Sequence, residues 1–315
     1  MLAYSKRALE AGDVPTFALY VRQQDRYALY LPAGEPVTHE IHEELDKLGY
    51  PTLHVHPDER KPAMRFLGGR VARAFEDPNL SVADRARLLL EVGRYVVEEF
   101  AKGPTVSLYA RVADLGDVIA TASRSLSIVR EVMLRAQSLE AHYAHAVHVA
   151  AVASNLASRW LASSAGLLSR LATACLVRDV GMVWVPPSLW NPGAGVSSAE
   201  RRAFESHVTF GLRILAEARV HDPLVTEIVT QHHERIDGSG FPAQLRGDAI
   251  GPFVRVAATA DRLNALLLGK AAGEGSRLFD VLQHMIRQET RRLDPTCMRL
   301  LVSMLGATSD LAKAA

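Results

Sequence analysis

Cysteine is nearly absent: Cys175 and Cys297 are the only two in 315 residues. That excludes a disulfide-stapled scaffold and a Cys-based zinc module, and it fits a reducing compartment. No run of 18 apolar residues occurs, and the opening stretch MLAYSKRALEAGD lacks the apolar core of a secretory signal, so no membrane span and a cytoplasmic protein are expected. A surplus of either charge is also missing, with 36 Lys and Arg against 35 Asp and Glu. Without a basic footprint, neither a nucleic-acid polymer nor an anionic membrane surface is the expected partner, and any nucleotide must be held by a local site. What remains is an ordinary globular composition, 48% hydrophobic and 23% charged, on a chain long enough for two domains with cores of their own.

The first hundred residues read as a small α/β unit. Two β-prone runs, 17–21 and 27–31, flank the polar QQDR and give a hairpin signal. A helix is predicted over 38–48, with Thr38 as its cap, Ile41, Leu45 and Leu48 at helical spacing, and Gly49 as its stop. PTLHVHP reads as a third strand, and helices are predicted over 63–75 and 81–100. His39, His42, His54 and His56 lie in this unit without a carboxylate-rich partner motif, which favours solvated or packing roles. The loop AKGPTVS, 101–107, closes it and sets the expected division into domains at 1–107 and 108–315.

From residue 108 the pattern is helical almost throughout. Apolar steps of three and four over 112–133 give a helical pattern suited to bridging domains or to pairing two protomers as a homodimer. In the next predicted helix, 138–161, His145 shares an apolar face with Val149, Val152 and Leu156, whereas His142 and His148 are read as structural. Ser197 and Glu200 form a capping-box signal for the helix that carries His207. Asp261 falls on the face of Val254 and Ala258, where a carboxylate without a partner is costly. Most informative is Gln231-His-His-Glu-Arg-Ile-Asp-Gly-Ser-Gly-Phe-Pro242: a histidine pair ends an apolar helix and a turn rich in Asp, Gly and Pro follows. Adjacent helical side chains diverge by about 100°, so both imidazoles can enter one cavity only at the mouth of a bundle.

HHERIDGSGFP closely resembles the HHExxDGxGYP signature of the HD-GYP family, metal-dependent phosphodiesterases and relatives that act on cyclic di-GMP. The resemblance implies a mostly α protein: a helical HD-type domain over 108–315 behind the small α/β domain. By the same resemblance His145-Ala-Val-His148-Val is similar to the family's HxxRV helix, LVRDVGMVWVP to its LHDIGKIxIP turn, and ATADRLNAL to its ADxxDAL motif. Gly181 then corresponds to the glycine that lets the chain turn. The implied metal ligands are His145, Asp179, His207, His232, His233 and Asp261. This nitrogen and oxygen set suits two divalent ions, iron or manganese first, with Asp179 between them. Two such ions, about 3.5 to 4 Å apart, activate a hydroxide and clamp the phosphate of cyclic di-GMP. No organic cofactor is implied.

The chain also departs from the family pattern. Arg178 stands where a ligand histidine belongs, and an always-charged guanidinium has no lone pair for a metal. Met182 replaces a phosphate-contacting lysine, Asn264 replaces the second Asp of ADxxDAL, and Lys270-Ala-Ala-Gly273 replaces RPYR-like residues. Phe241 replaces the tyrosine of GYP with loss of one hydroxyl. Catalytic roles accordingly fall on Asp179, Arg178 and Lys270, and substrate contacts on Lys270, Gly240 and Phe241. Two functions follow: a weak cyclic di-GMP phosphodiesterase, or a degenerate module that binds cyclic di-GMP or docks a signalling protein on the 237–242 loop.

Overall fold

A computed structural model describes residues 2–5, 9–23, 26–47, 52–59, 62–63, 66, 81–136, 143–161, 163–190, 197–268 and 278–306. By internal packing the chain divides into two units, Met1–Val92 and Gly93–Ala315. The division falls inside a helix, Val82–Lys102, upstream of the loop at 101–107 where composition placed it.

The first unit is built on a four-stranded antiparallel sheet, ordered β1-β4-β2-β3, from Leu2–Ser5 (β1), Leu19–Gln23 (β2), Arg26–Leu31 (β3) and Thr52–Val55 (β4). Leu19 and Val21 alternate inward along β2 while Arg22 points to solvent, the period-two pattern of a half-buried strand. Strand β1 was not expected; it pairs with β4 in the register Leu2 to Val55. LAYS is too short to carry an alternation signal of its own. Helix α1, His39–Lys47, starts where expected, with Thr38 Oγ1 accepting from Ile41 N at 3.2 Å. Most of the helix expected over 63–75 lies outside the described residues.

The second unit is helical. Following α2 (Val82–Lys102) come α3 (Val106–Ala122), α4 (Leu126–Ala136), α5 (Ala144–Trp160), α6 (Ala165–Val177), α7 (Ser198–Glu205), α8 (His207–Glu217), α9 (Pro223–Gln231), α10 (Pro252–Leu268), α11 (Leu278–Gln288) and α12 (Pro295–Gly306). The helical pattern of 112–133 falls on two helices, broken at Ser123–Ser125. The buried Ser123 carbonyl accepts from Asn155 Nδ2 at 2.6 Å, and Ser125 and Ser127 bond each other through their hydroxyls. Short hydroxyl side chains compete with the helical ladder, and a cluster of them ends it although the apolar period continues. The described helix carrying His145 begins at Ala144; residues 137–142, His142 among them, lie outside the described part.

Helix α6 packs against α3, α5 and α9, and α5 against α10, which puts the C-terminal end of α6 in the bundle core. The capping box at α7 is present, with reciprocal Ser197 and Glu200 bonds. Asp222 starts α9 by accepting from Leu224 N at 2.9 Å, with Pro223 at the first helical position. No helix among the described residues is long and apolar enough to cross a membrane.

Candidate metal centre

Asp179 follows α6 and precedes a 3-10 turn, Val180–Trp184, that packs on α8. Gly181 makes that packing feasible: a Cβ there would stand 2.0 Å from the His207 carbonyl oxygen and 2.5 Å from Gly211 N. Its φ is not among the positive ones, so the glycine serves close approach and not the unusual turn conformation expected. The contact brings the first turn of α8, with His207, beside Asp179. Helix α9 ends at Gln231 and His232 caps it, so the histidine pair stands at the end of the helix.

Asp179, His207, His232 and His233 each present one donor atom, and these atoms all lie within 4.8 Å of one another. His232 Nε2 is 3.2 Å and His207 Nε2 is 3.7 Å from Asp179 Oδ1. The orientation of two rings is fixed by backbone. His207 Nδ1 donates to the Phe204 carbonyl at 2.6 Å, and His232 Nδ1 to the carbonyls of Ile228 at 3.0 Å and Val229 at 3.2 Å. Those bonds leave Nε2 as the free lone pair on each ring, the tautomer a metal requires. The Nε2 atoms of His207, His232 and His233 are buried without a hydrogen-bond partner. Three orphaned imidazole nitrogens beside one carboxylate oxygen are costly by themselves, and a metal ion satisfies all of them.

Electrostatics favours the ligand forms. Burial pushes the His207 pKa down to about 4 against the opposing pull of Asp179. Burial, then the neighbouring His232 and His207, hold His233 well below the usual imidazole range. For Asp179, burial raises the pKa, but the Arg178 guanidinium beside it holds it well below the usual carboxylate range.

Asp261 is not the unpartnered carboxylate the sequence suggested. Arg178 Nε donates to its Oδ1 at 3.0 Å, while Nη2 reaches Asp179 Oδ2 at 2.8 Å and Nη1 donates to the Cys175 carbonyl at 2.9 Å. The Arg178 side chain is only 3% exposed. One guanidinium thus bridges the two carboxylates, and the cost of burying Asp261 is met by an arginine. Asp261 Oδ2 remains 3.9 Å from His233 Nδ1. His145, half-buried in the first turn of α5, lies outside the mutually close set of four. His148, left as structural, is fully buried with Nδ1 on Asn264 Oδ1, and burial lowers its pKa to about 4. Asn264, in place of a second Asp, is therefore a hydrogen-bond partner of an imidazole. Met182 is buried, and Lys270 and Gly273 lie outside the described residues.

The signature loop is held from beneath by Glu234, to which the sequence assigned no role. This buried carboxylate accepts from Ala243 N at 2.7 Å and Leu245 N at 2.9 Å. The signal available was an acid next to the histidine pair and before a loop full of amide donors. Gly240 lies against the backbone of His233, Glu234 and Arg235, where a Cβ would approach to 2.5 Å. Phe241 stacks on His233 with ring centroids 4.5 Å apart, so its ring backs an imidazole.

A helical bundle that gathers three imidazoles and a carboxylate from separate segments into one buried cluster has the architecture of a metal-dependent HD-type domain. Residues 126–297 match the HD domain family model, and the chain belongs to that family as an HD-GYP member. The chain is 28% identical over 219 residues to a cyclic di-GMP phosphodiesterase of Pseudomonas aeruginosa, covering 65% of this chain and 52% of that protein. It is 30% identical over 133 residues to a 3'3'-cGAMP-specific phosphodiesterase of Vibrio cholerae, covering 42% of this chain and 26% of that protein. The chain thus spans about half the length of the first relative and about a quarter of the second. An HDG"Y"P protein from Bdellovibrio bacteriovorus shares the fold, with a TM-score of 0.71 at 19% identity over 97% of this chain and 99% of that one.

Proposed function

We propose that this chain hydrolyses a phosphodiester bond of a cyclic dinucleotide, cyclic di-GMP foremost, slowly and with one divalent metal ion beside a fixed guanidinium. The observation that carries this is the buried cluster of Asp179, His207, His232 and His233, with its orphaned Nε2 atoms. A divalent ion held there, iron or manganese by donor type, supplies positive charge against a phosphoryl oxygen and acidifies water. The Phe204, Ile228 and Val229 carbonyls set the tautomers of His207 and His232, and Phe241 orients His233. Arg178 keeps Asp179 ionised and occupies Asp179 Oδ2 and Asp261 Oδ1, where a second ion would need donors; this favours one ion over the two expected from the signature. Loss of a phosphate-contacting lysine at Met182 removes one dedicated donor, worth about 2 to 4 kcal/mol of barrier, which supports a low rate.

The same guanidinium favours a second reading, a binding module without turnover, because it ties up both carboxylates. Both readings are tested by metal analysis and product chromatography on protein purified without oxygen and supplied with iron or manganese. The expected result is one ion per chain, lost in His233→Ala, and linear dinucleotide or GMP that is absent with Asp179→Ala. Metal without product favours the receptor, and an unaltered metal content in His233→Ala refutes the ligand assignment.

A further inference from the structure

Backbone carbonyls fix the rings of His207 and His232, but nothing of that kind fixes His233. Among the described residues no hydrogen bond holds its imidazole, whose Nδ1 comes only to 3.9 Å of Asp261 Oδ2 while Nε2 is buried without a partner. A metal ligand whose ring can turn must be ordered each time the ion binds, and that ordering weakens binding. In this chain the ring is held by packing.

Two phenylalanines make the contact. Phe241 stacks on His233 with centroids 4.5 Å apart and planes inclined by 27°, and Phe204 meets the same imidazole at 5.7 Å with an inclination of 53°. Phe204 also backs Phe241, at 6.1 Å and 72°. These separations fall in the range of about 4.5 to 7 Å where ring pairs attract. Phe204 has a second hold on the cluster. It stands in the last turn of α7, where carbonyls lack helical donors, and its carbonyl accepts from His207 Nδ1 at 2.6 Å. Its ring lies 5.0 Å from that imidazole as well. One half-buried side chain, outside the signature loop, therefore touches two of the three imidazoles.

We infer that Phe204 is a positioning residue of the metal centre: its carbonyl sets the tautomer of His207, and its ring, together with Phe241, holds His233 in the ligand orientation. This role rests on the reading of the cluster as a metal centre. The two contributions separate cleanly, because the carbonyl survives any substitution and the ring does not. A side chain of similar length without a ring leaves His207 fixed and His233 loose.

The test is cobalt(II) binding to the full chain, measured by competition with a chelator, with the visible absorption of the bound ion recorded at saturation. Phe204→Leu and Phe204→Met remove the ring, and Phe204→Tyr keeps it. Phe210→Leu removes a ring on α8 that packs on Trp184 at 5.4 Å and serves as the control. Both ringless variants at 204 are expected to bind cobalt about tenfold more weakly or worse, with altered absorption bands, as when a group that orients a metal ligand is lost. Phe204→Tyr and Phe210→Leu are expected to keep the parent's affinity and bands. A role in packing alone would lower the melting temperature in chelator and leave the bands unmoved. Three results would overturn the inference: parent-like affinity and bands in the ringless variants, an equal loss in Phe210→Leu, or failure of both ringless variants to fold. A parent that binds no cobalt would refute the metal centre itself, and this role with it.

Discussion

Replacing Arg178 by methionine tests how the centre is held together. Methionine fills much of the same volume, so the perturbation is the removal of charge and donors and not a cavity. Arg178 is 3% exposed, and its removal leaves Asp179 and Asp261, with side chains 18% and 11% exposed, facing each other without a counter-ion. Breaking a buried ion pair from one side costs about 3 to 5 kcal/mol. In a unit the size of Gly93–Ala315, each kcal/mol lowers Tm by about 2 to 4 °C, so a drop of roughly 6 to 20 °C is expected at neutral pH in chelator. Asp179 has its folded-state pKa held below its unfolded value, so the stability it contributes is full above about 3.9 and is lost as pH falls through the folded value. The gap between parent and variant is therefore widest at neutral pH and narrows in acid. Added manganese restores part of the variant's Tm, because the released carboxylates gain a cation in place of the guanidinium. Thermal unfolding followed by circular dichroism reads all three effects. A Tm within about 2 °C of the parent at pH 7 in chelator would refute the account of Arg178 as the counter-ion of both acids.

Gly181→Ala inserts a methyl 2.0 Å from the His207 carbonyl oxygen, so the 3-10 turn and α8 must separate. Overpacking of this kind costs about 1 to 3 kcal/mol or more, and because it displaces His207 from Asp179, equilibrium dialysis is expected to show weaker metal binding as well as a lower Tm. Glu234→Ala leaves the Ala243 and Leu245 amides without their acceptor, at about 1 to 3 kcal/mol each unless water enters. Faster hydrogen exchange at 243 and 245 is expected, and unchanged protection there would show that the loop is held by other contacts.

The local features of the fold were legible in the sequence because each depends on its near neighbours. The histidine pair at the end of α9, the DGSGFP turn, the capping box at α7 and the Thr38 cap all depend on neighbours within a few residues, and all appear as read. The break between α3 and α4 was missed because an apolar period runs through it; only the bonds of Ser123 and Ser125 with distant and local partners end the helix. Strand β1 was missed because four residues become a strand only when β4 offers its edge.

The sequence by itself determined which segments carry imidazoles and carboxylates, and that the guanidinium of Arg178 has no lone pair to offer a metal. It also showed that Asp261 needs a partner, since its apolar face follows from helical spacing alone. Which partner it takes was decided by the tertiary structure, where α6 and α10 bring Arg178 within 3.0 Å of it across 83 positions of chain. The same holds for His148 with Asn264, and for the carbonyls that select the tautomers of His207 and His232. Charge pairing and ring orientation depend on distances of a few ångströms between groups remote in sequence, and residue spacing along the chain carries no record of those distances.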